Sequence, residues 1–383
     1  MTALARPVFI AGVAESALGM VTDQTEHAMA ALAAREALGE AGLTLADVDG
    51  LFTNYAGEEG SVQIGEYLGI APRYCDSTDI GGAAWEAFVH HAMLAVAAGR
   101  CEVALLTYAS RQRSRRQRYM ATAPDTYSLM GQFQDPYGLP MPIGSYALMA
   151  ARHMHEYGTT SEQLSEIPVA ARAWAQRNPK AWSRDPLTVE DVLSSRMMST
   201  PLHKLDCCLV TDGGGAVVIT TKERARDAAK TPIRVLGAGE SHQHWQAAQM
   251  PDLTVSAGVV SGREAFGMAG ITPADVDVLQ PYDSFSITVL MALEDLGFCA
   301  KGEGGAFVEK GRLAPGGALP TMTSGGGLSY CHPGALGILL LVEAVRQLRG
   351  EAGERQVPNA RIGVAHGVGG MMSTAATVVM ARD

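Results

Sequence analysis

Three short segments in the second half of the sequence carry side chains that can move protons. Tyr282 stands in YDSF after an apolar stretch, Tyr330 and His332 stand in the glycine-rich GGGLSYCHPGALG, and His366 opens HGVGG. A free phenol titrates near pH ~10 and a free imidazole near pH ~6.5, so both can donate or accept protons. Polar segments that follow apolar ones predict loops at strand ends, where catalytic residues often lie. The pattern favours acid–base chemistry at a site built from loops.

The elements that must position these loops form a duplicated pattern. Residues 35–51, REALGEAGLTLADVDGL, recur as residues 263–279, REAFGMAGITPADVDVL, with 12 of 17 positions identical. Each copy is typical of a helix end, a glycine stop, a turn and a buried strand. Strands that alternate with helices predict a layered α/β protein. We therefore divide the chain into a first half at 1–230 and a second half at 231–383.

Residues 111–200 have no counterpart in the second half. We interpret them as a long insertion, partly helical, of the kind that often covers a site. In the duplicated parts, the pattern predicts helices at 83–98 and 334–348. Each of these helices leads to a strand, at 103–108 and 361–365 respectively.

Composition excludes several classes of protein. The net charge of −10 argues against general nucleic-acid binding. No apolar run reaches the roughly 18–20 residues of a membrane span, and the start of the chain lacks the apolar segment of a secretory signal. The six cysteines have neither metal-ligand nor disulfide-framework spacing. We therefore expect reduced thiols in a cytoplasmic protein with no metal site.

The order of the two halves, with an insertion in the first, resembles the thiolase superfamily, and in particular its sterol-carrier-type members. The Gly-His-Pro motif of thiolases is matched by CHPG after the glycine-rich run, their His-Asp-Cys-Phe motif by YDSF, and their final cysteine-glycine loop by HGVGG. The resemblance implies a duplicated five-layer αβαβα fold and a homodimer. It also implies a small partner protein with a zinc ribbon and an OB-fold, which helps to form the coenzyme A-binding region.

The departures from the thiolase pattern bear on the chemistry. Thiolases place a nucleophilic cysteine at the start of the buried helix of the first half, and an ungapped count back from Gly99 reaches Gly82 there. Tyr282 replaces the motif histidine, and His366 replaces the second catalytic cysteine. Tyr330 stands two residues before the conserved histidine. Without a nucleophile at that helix start, no acyl-enzyme can form there.

This combination is similar to the thiolase-like aldolases of bacterial steroid side-chain degradation. The resemblance implies retro-aldol cleavage of a β-hydroxyacyl-CoA with a bulky or steroid-like acyl group. This reaction needs no cofactor beyond the coenzyme A of the substrate. Tyr282 and Tyr330 would transfer protons, and His332 would donate to the thioester oxygen. A tyrosine base requires a pKa depressed by a nearby positive charge or by donated hydrogen bonds, and His332, His366 or helix N-termini are the candidates to provide it.

Further residues are predicted to contact the substrate. They lie at the start of the buried helix, after the YDSF strand and in the two glycine-rich loops: Gly82, Asp283, Gly326 and Gly369. For Asp283, an Asx turn or an orienting contact to Tyr282 are the alternatives to a substrate contact.

Two other functions stay open on the sequence alone. One is a thiolase or acyltransferase that uses Cys75 or Cys331, and the other is a non-catalytic subunit that binds acyl-CoA or lipid. The arginine-rich run RQRSRRQR at 111–118 is open as well. Its arginines can bind the phosphates of coenzyme A or an acidic partner. Alternatively, they form a solvated face or ion pairs between subunits. We predict that the run lies near a subunit boundary or the coenzyme A entrance.

Overall fold

The computed structural model of the chain describes residues 6–55, 60–116 and 125–382. The strands are β1 Val8–Glu15, β2 Gly50–Phe52, β3 Tyr74–Asp76, β4 Val103–Ser110, β5 Met197–Ser199, β6 Leu202–His203, β7 Gly213–Thr221, β8 Ile233–His242, β9 Val278–Pro281, β10 Ile362–Gly369 and β11 Thr374–Ala381. The α-helices are α1 Glu26–Glu40, α2 Gly60–Leu68, α3 Ala84–Ala97, α4 Leu129–Phe133, α5 Ile143–Tyr157, α6 Ser161–Ala175, α7 Val189–Ser194, α8 Lys222–Ala225, α9 Gly258–Ala269, α10 Ser286–Asp295, α11 Gly304–Val308 and α12 Gly337–Arg349.

The main strands form one nine-stranded sheet in the order β3-β2-β4-β7-β1-β8-β11-β10-β9. β1 and β8 join the two halves through a short antiparallel pairing of Phe9 with Arg234 and Ile10 with Ile233. Within each half, a parallel pair lies at the outer end, β2 with β3 and β9 with β10. The carboxyl end of β9 leads directly into Tyr282, beside its parallel neighbour β10.

The layers around this sheet are those expected of a thiolase fold. α3 packs against β4 and β7 of the first half and against β8, β10 and β11 of the second, and α12 also touches strands of both halves. α1 covers the outer face of β1, β4 and β7, whereas α9 covers β8 and β11. The buried side chains of α3 and α12 thus form a central helical layer that contacts both halves of the continuous sheet, with α1 and α9 as the outer helical layers. The predicted five-layer α/β architecture is confirmed.

The duplication is visible in individual contacts. The Asp49 carboxylate accepts the backbone N–H of Val103 at 2.9 Å, and Asp277 accepts that of Ile362 at the same distance. In both halves this bond fixes the start of the next central strand. Helices α1 and α9 also approach their strands through a glycine. A Cβ at Gly12 would lie 1.8 Å from the carbonyl oxygen of Ala37, and one at Gly237 would lie 2.3 Å from that of Ala265.

Two helices of the 111–200 segment pack onto the second half. α5 and α6 both contact α10, and the buried His153 of α5 lies 3.0 Å from the Glu294 carboxylate of α10. Lys301 lies 3.0 Å from the same carboxylate, so the buried charge of Glu294 has two partners. This attachment brings the start of α5 to the loops at the ends of β9 and β10. Among the described residues, no helix has both the length and the apolar character to cross a bilayer.

Candidate active site

The start of the central helix α3 is the floor of the site. Residues 81–83 form a tight turn that runs into α3, so Gly82 lies at the N-terminal end of a buried helix, as the sequence predicts. A Cβ at Gly82 would lie 2.2 Å from Cε2 of Tyr282 and 2.5 Å from the carbonyl oxygen of Val368. These distances are far inside van der Waals contact. The ring of Tyr282 therefore occupies the space that a cysteine side chain at this position would need.

Tyr282 is held by its backbone and by its hydroxyl. It directly follows β9, and its N–H donates to the carbonyl of His366 at 2.8 Å, which continues the pairing with β10. Its hydroxyl lies 3.1 Å from Nε2 of His332 and 3.2 Å from the Gly334 carbonyl oxygen, to which it can donate. The N–H of Leu336 donates to the same hydroxyl at 3.3 Å. Tyr282 and His332 are thus one hydrogen-bonded pair between the two central helices.

The loop that carries His332 is built on Asp283. The buried Asp283 carboxylate accepts the N–H groups of Gly327 at 2.7 Å and Leu328 at 3.0 Å. A Cβ at Gly326 would come within 2.1 Å of this carboxylate, and Gly326 also has a positive φ of 58°. Burial raises the pKa of Asp283 to about 7, which the two N–H bonds oppose. Asp283 and Gly326, predicted to contact the substrate, shape the loop in this structure.

Gly369 likewise has a packing role. A Cβ there would lie 1.7 Å from the Ile80 carbonyl oxygen, so only glycine lets β10 approach the turn that precedes α3. Gly82, Gly326 and Gly369 all permit close approach of protein groups, and the substrate contacts that we predicted for them stay predictions. Their contribution to the site is the placement of Tyr282 and His332.

Both members of the pair are neutral in the resting protein. Burial lowers the pKa of His332 to about 4, so its imidazole is uncharged at neutral pH. Burial also raises the pKa of Tyr282 well above its ordinary value, against the bond from Leu336. Neither His332 nor His366 therefore carries the positive charge that would depress a tyrosine pKa in this structure. Tyr282 therefore keeps its phenolic proton in the resting protein.

Tyr330 has different partners. Its hydroxyl donates to the Glu15 carboxylate at the end of β1, and Glu15 is also paired with Lys180. Burial and the neighbouring Glu15 raise the pKa of Tyr330 well above its ordinary value. The structure brings Tyr282 and His332 together and turns the Tyr330 hydroxyl towards Glu15. From the sequence we expect both hydroxyls to reach one cavity together with His332. The Tyr282 hydroxyl contacts His332, whereas the Tyr330 hydroxyl contacts Glu15.

His366 lies on the other face of its strand. Its Nδ1 is 2.9 Å from the Thr377 hydroxyl, and its Nε2 lies against Gly258 at the start of α9, without a hydrogen-bond partner among the described residues. The adjacent Gly367 faces the central helix α3 instead. Burial lowers the pKa of His366 to about 4. Among the described residues, His366 contacts the pair through its backbone carbonyl, and a catalytic role of its side chain stays a prediction.

Comparison with known proteins shows the family of this chain. The family model "Thiolase C-terminal domain-like" matches residues 239–382. An acetyl-CoA acetyltransferase of Methanothermobacter thermautotrophicus is 35% identical over 98% of this chain and 100% of its own length. The chain belongs to the thiolase superfamily.

Two further relatives of this thiolase-superfamily member are aldolases by name. A steroid side-chain-cleaving aldolase of Thermomonospora curvata is 35% identical over 91% of this chain and 92% of its own length. The solved structure described as "Ltp2-ChsH2(DUF35) aldolase" is 32% identical, covers 99% of both chains and superposes with a TM-score of 0.90.

The cysteines do not occupy the thiolase nucleophile position. Cys75 lies on the edge strand β3. The residue as a whole is exposed, but partial burial of its thiol still raises the thiol pKa. Cys331 is buried, lies 3.1 Å from the Thr211 hydroxyl, and has a pKa raised to about 12 by burial. A thiolate is the nucleophilic form, so neither thiol is activated.

Sequence reasoning missed two groups near the pair. Tyr146, at the start of α5, donates from its hydroxyl to the Gly370 carbonyl at 3.0 Å, and its pKa is raised to about 12 by burial. Glu86, one helical turn after Gly82, is buried with neither carboxylate oxygen bonded among the described residues. Burial raises the pKa of Glu86 well above its usual range. Tyr146 belongs to the insertion, where no repeat pointed to it. Glu86 follows Gly82 by four residues, so helical spacing places the two on the same face, and this spacing could have pointed to Glu86.

Several arginines of the run already bind other groups of the same chain. Arg111 donates to the Val21 carbonyl at 3.0 Å, and Arg113 donates to the Val210 carbonyl at 3.1 Å while lying 4.3 Å above the Trp182 ring. Arg115 pairs with Glu26 at 2.8 Å. Residues 117 and 118 of the run lie outside the described residues. Arg111 and Arg115 line a cavity of about 390 Å³.

Proposed function

We propose that this protein is a carbon–carbon lyase that cleaves a β-hydroxyacyl-CoA by retro-aldol chemistry, without a covalent acyl-enzyme. One observation carries the proposal: the Tyr282 ring fills the side-chain space at the start of α3 and presents its hydroxyl to His332. A thiolase needs a thiol in that space, whereas a retro-aldol reaction needs a proton donor and a proton acceptor. The similarity to a named steroid side-chain-cleaving aldolase supports the same conclusion.

The proposed proton path uses the pair. Uncharged His332, in the tautomer without hydrogen on Nε2, takes the proton of the β-hydroxyl as the Cα–Cβ bond breaks. The β-carbon leaves as a ketone or aldehyde, and the electron pair moves into the thioester as an enolate. Tyr282 then gives its phenolic proton to the α-carbon. His332 returns its proton to the phenolate across the 3.1 Å contact, which restores both groups.

The two central helices stabilise the negative charge that forms during this reaction. α3 and α12 both begin at the site, and the N–H of Leu336, just before α12, already donates to the Tyr282 oxygen. Helix N-termini carry a partial positive charge, which is favourable beside an enolate or a phenolate. Preorganised donors of this kind usually make the largest contribution to catalysis. The reaction requires no cofactor other than the coenzyme A of the substrate.

Direct measurement of cleavage tests the proposal. Incubation with β-hydroxyacyl-CoAs of increasing acyl size, from four carbons to steroid side chains, should release a ketone or aldehyde and a shortened CoA thioester, detected by mass spectrometry. We expect turnover with bulky acyl groups. Binding of these thioesters without release of either product, with every partner present, would instead favour the non-catalytic binding subunit.

Intact-mass measurement separates this reaction from that of a thiolase. After incubation with acetyl-CoA and with longer acyl-CoAs, the chain should keep its unmodified mass, because no thiol stands at the start of α3. Alkylation of the exposed Cys75 is the positive control that thiol adducts are detected. A stable acyl adduct on Cys75 or Cys331 would support the acetyltransferase activity named for one relative.

We further propose a cytoplasmic homodimer that works with a small OB-fold and zinc-ribbon partner. The edge strand β3 pairs only with β2 among the described residues, so a second copy can extend the sheet there. One solved relative carries two component names, Ltp2 and ChsH2(DUF35), which is consistent with a second subunit. The cleavage assay is therefore run with and without a small candidate partner that has an OB-fold and a zinc ribbon.

A further inference from the structure

The loop at residues 332–336 carries one member of the proton-transferring pair and lies just before α12, outside any helix or strand. Its Gly334 carbonyl accepts a bond from the Tyr282 hydroxyl at 3.2 Å, and its Leu336 N–H donates to that hydroxyl at 3.3 Å. The direction of the Tyr282 hydroxyl therefore depends on the place of this loop. Because the loop lacks the regular hydrogen bonds of a helix or strand, groups outside it must hold its backbone.

The first half of the chain supplies groups that hold the loop. The Thr211 hydroxyl accepts the N–H of His332 at 2.8 Å, and the Thr211 N–H donates to the His332 carbonyl at 3.2 Å. The Tyr108 hydroxyl, near the end of β4, donates to the Pro333 carbonyl at 2.9 Å. Thr211 thus holds His332 itself, whereas Tyr108 holds the next peptide group, on the side towards Gly334.

Tyr108 is itself held in place. It lies opposite Gly215 of β7 in the sheet. Its ring lies 5.0 Å from the buried Trp85 ring and 6.4 Å from the Tyr55 ring, measured between centroids. A side chain whose conformation is locked by packing can hold a hydrogen-bonding group to within about 0.5 Å. Tyr108 is therefore a fixed point for the loop rather than a side chain that follows it.

Gly334 lies directly against this fixed point. A Cβ at Gly334 would lie 3.5 Å from the Tyr108 hydroxyl oxygen and 1.9 Å from Nε2 of Gln112. The Pro333 carbonyl, which accepts the Tyr108 bond, and the Gly334 carbonyl, which accepts the Tyr282 bond, belong to consecutive peptide groups. Peptide groups are planar, so only the two backbone torsion angles of Gly334 separate these carbonyls. A displacement of the first carbonyl is therefore passed on to the second.

We propose that Tyr108 is a positioning residue of this site: by holding the loop, it directs the Tyr282 hydroxyl towards His332. The inference rests on the proposed retro-aldol function, in which the 3.1 Å contact between Tyr282 and His332 carries a proton. The first half of the chain thus controls a proton transfer whose two groups both belong to the second half.

Hydrogen exchange tests this positioning without turnover. In Tyr108→Phe the ring stays but the bond to the Pro333 carbonyl is lost, so the loop is held less firmly. The Leu336 N–H should then exchange at least about tenfold faster than in the wild type, since local opening sets the exchange rate. Mass spectrometry of a peptide that contains Leu336 measures the rate. Tyr282→Phe, which removes the acceptor of that N–H, is the positive control.

A neighbouring tyrosine provides the matched control. The Tyr55 hydroxyl also donates to a backbone carbonyl, that of Glu26 at 3.2 Å, but this carbonyl lies outside the loop. Tyr55→Phe should therefore keep the wild-type exchange rate at Leu336 and the wild-type turnover. Tyr108→Leu takes the place of Tyr108→Phe if that variant does not fold.

Steady-state kinetics test whether Tyr108 acts through Tyr282. Tyr108→Phe should lower kcat for a β-hydroxyacyl-CoA by about tenfold with little change in KM, since a reacting group displaced by about 1 Å can cost up to about 10²-fold. In a Tyr282→Phe protein, the same substitution should cause no further loss, because the hydroxyl that Tyr108 directs is already absent. A residue that merely stabilised the fold would lower the turnover of both proteins by the same factor.

Two results would overturn the inference. One is unchanged exchange at Leu336 in Tyr108→Phe, and the other is a loss of kcat that is equally large with and without the Tyr282 hydroxyl. The proposed reaction can fail separately. If the wild-type protein cleaves no thioester, faster exchange in Tyr108→Phe but not in Tyr55→Phe still shows that Tyr108 holds the loop that directs Tyr282.

Discussion

Replacement of Tyr282 by phenylalanine should reduce the turnover of a β-hydroxyacyl-CoA by about 10²- to 10⁴-fold, as expected when a positioned acid is lost. The ring stays, so the packing against Gly82 is kept. The hydroxyl bonds to His332 and Gly334 disappear, and the N–H of Leu336 loses its acceptor. The free energy of unfolding should therefore change by only about 1 kcal/mol. Steady-state kinetics and chemical denaturation measure the two effects separately.

Tyr330→Phe is the matched control, because it removes a hydroxyl that is equally buried but bonded to Glu15. If Tyr282 and His332 alone transfer the protons, this variant should stay within about tenfold of the wild type. An equal loss in both variants would show that both tyrosines act, as the family resemblance implies. The double variant would then be no worse than the product of the singles if the two act as one unit. Near-full turnover of Tyr282→Phe would contradict the proposed proton path.

The layered architecture follows from patterns that are local in sequence. Apolar strands, amphipathic helices and the repeated segments at 35–51 and 263–279 are each read within a short window, and the structure places all of them. The ends of helices and strands differ from the predicted ones where the backbone conformation of a residue overrides the helix pattern of the sequence. The second central helix begins at Gly337 rather than at 334, because Pro333 precedes a residue, Gly334, with a positive φ of 96°.

The site was predicted in part because its contacts join distant segments. Motif spacing identified Tyr282 and His332, but their bond depends on how the loops after β9 and before α12 pack. The direction of the His366 side chain depends on strand parity. Successive residues of a strand face opposite sides of the sheet. A shift of one position along β10 therefore decides whether a side chain faces the central helices or α9. Tyr146 reaches the site through the packing of α5 on α10, for which no sequence pattern exists.

Reinstating a cysteine at position 82 should damage the protein rather than restore a thiolase. In Gly82→Cys, the new Cβ would lie 2.2 Å from the Tyr282 ring, so the ring or the helix must move. Overpacking of this kind costs roughly 1–3 kcal/mol of unfolding free energy. Retro-aldol turnover should fall by at least about 10²-fold, since displacement of the ring separates its hydroxyl from His332. Intact mass after incubation with acetyl-CoA should show no acyl adduct.

The cause of that damage can be isolated with two further variants. Gly267→Cys changes a helical glycine of α9 whose added Cβ would meet no atom within 4 Å, and it should keep wild-type stability and turnover. Gly82→Cys combined with Tyr282→Leu removes the ring that the new side chain meets, so it should recover part of the lost stability. The two substitutions should therefore be strongly non-additive, as expected for residues in direct contact. Additive effects, or a fully active Gly82→Cys enzyme, would show that Tyr282 does not fill the nucleophile space and would remove the main support for a lyase.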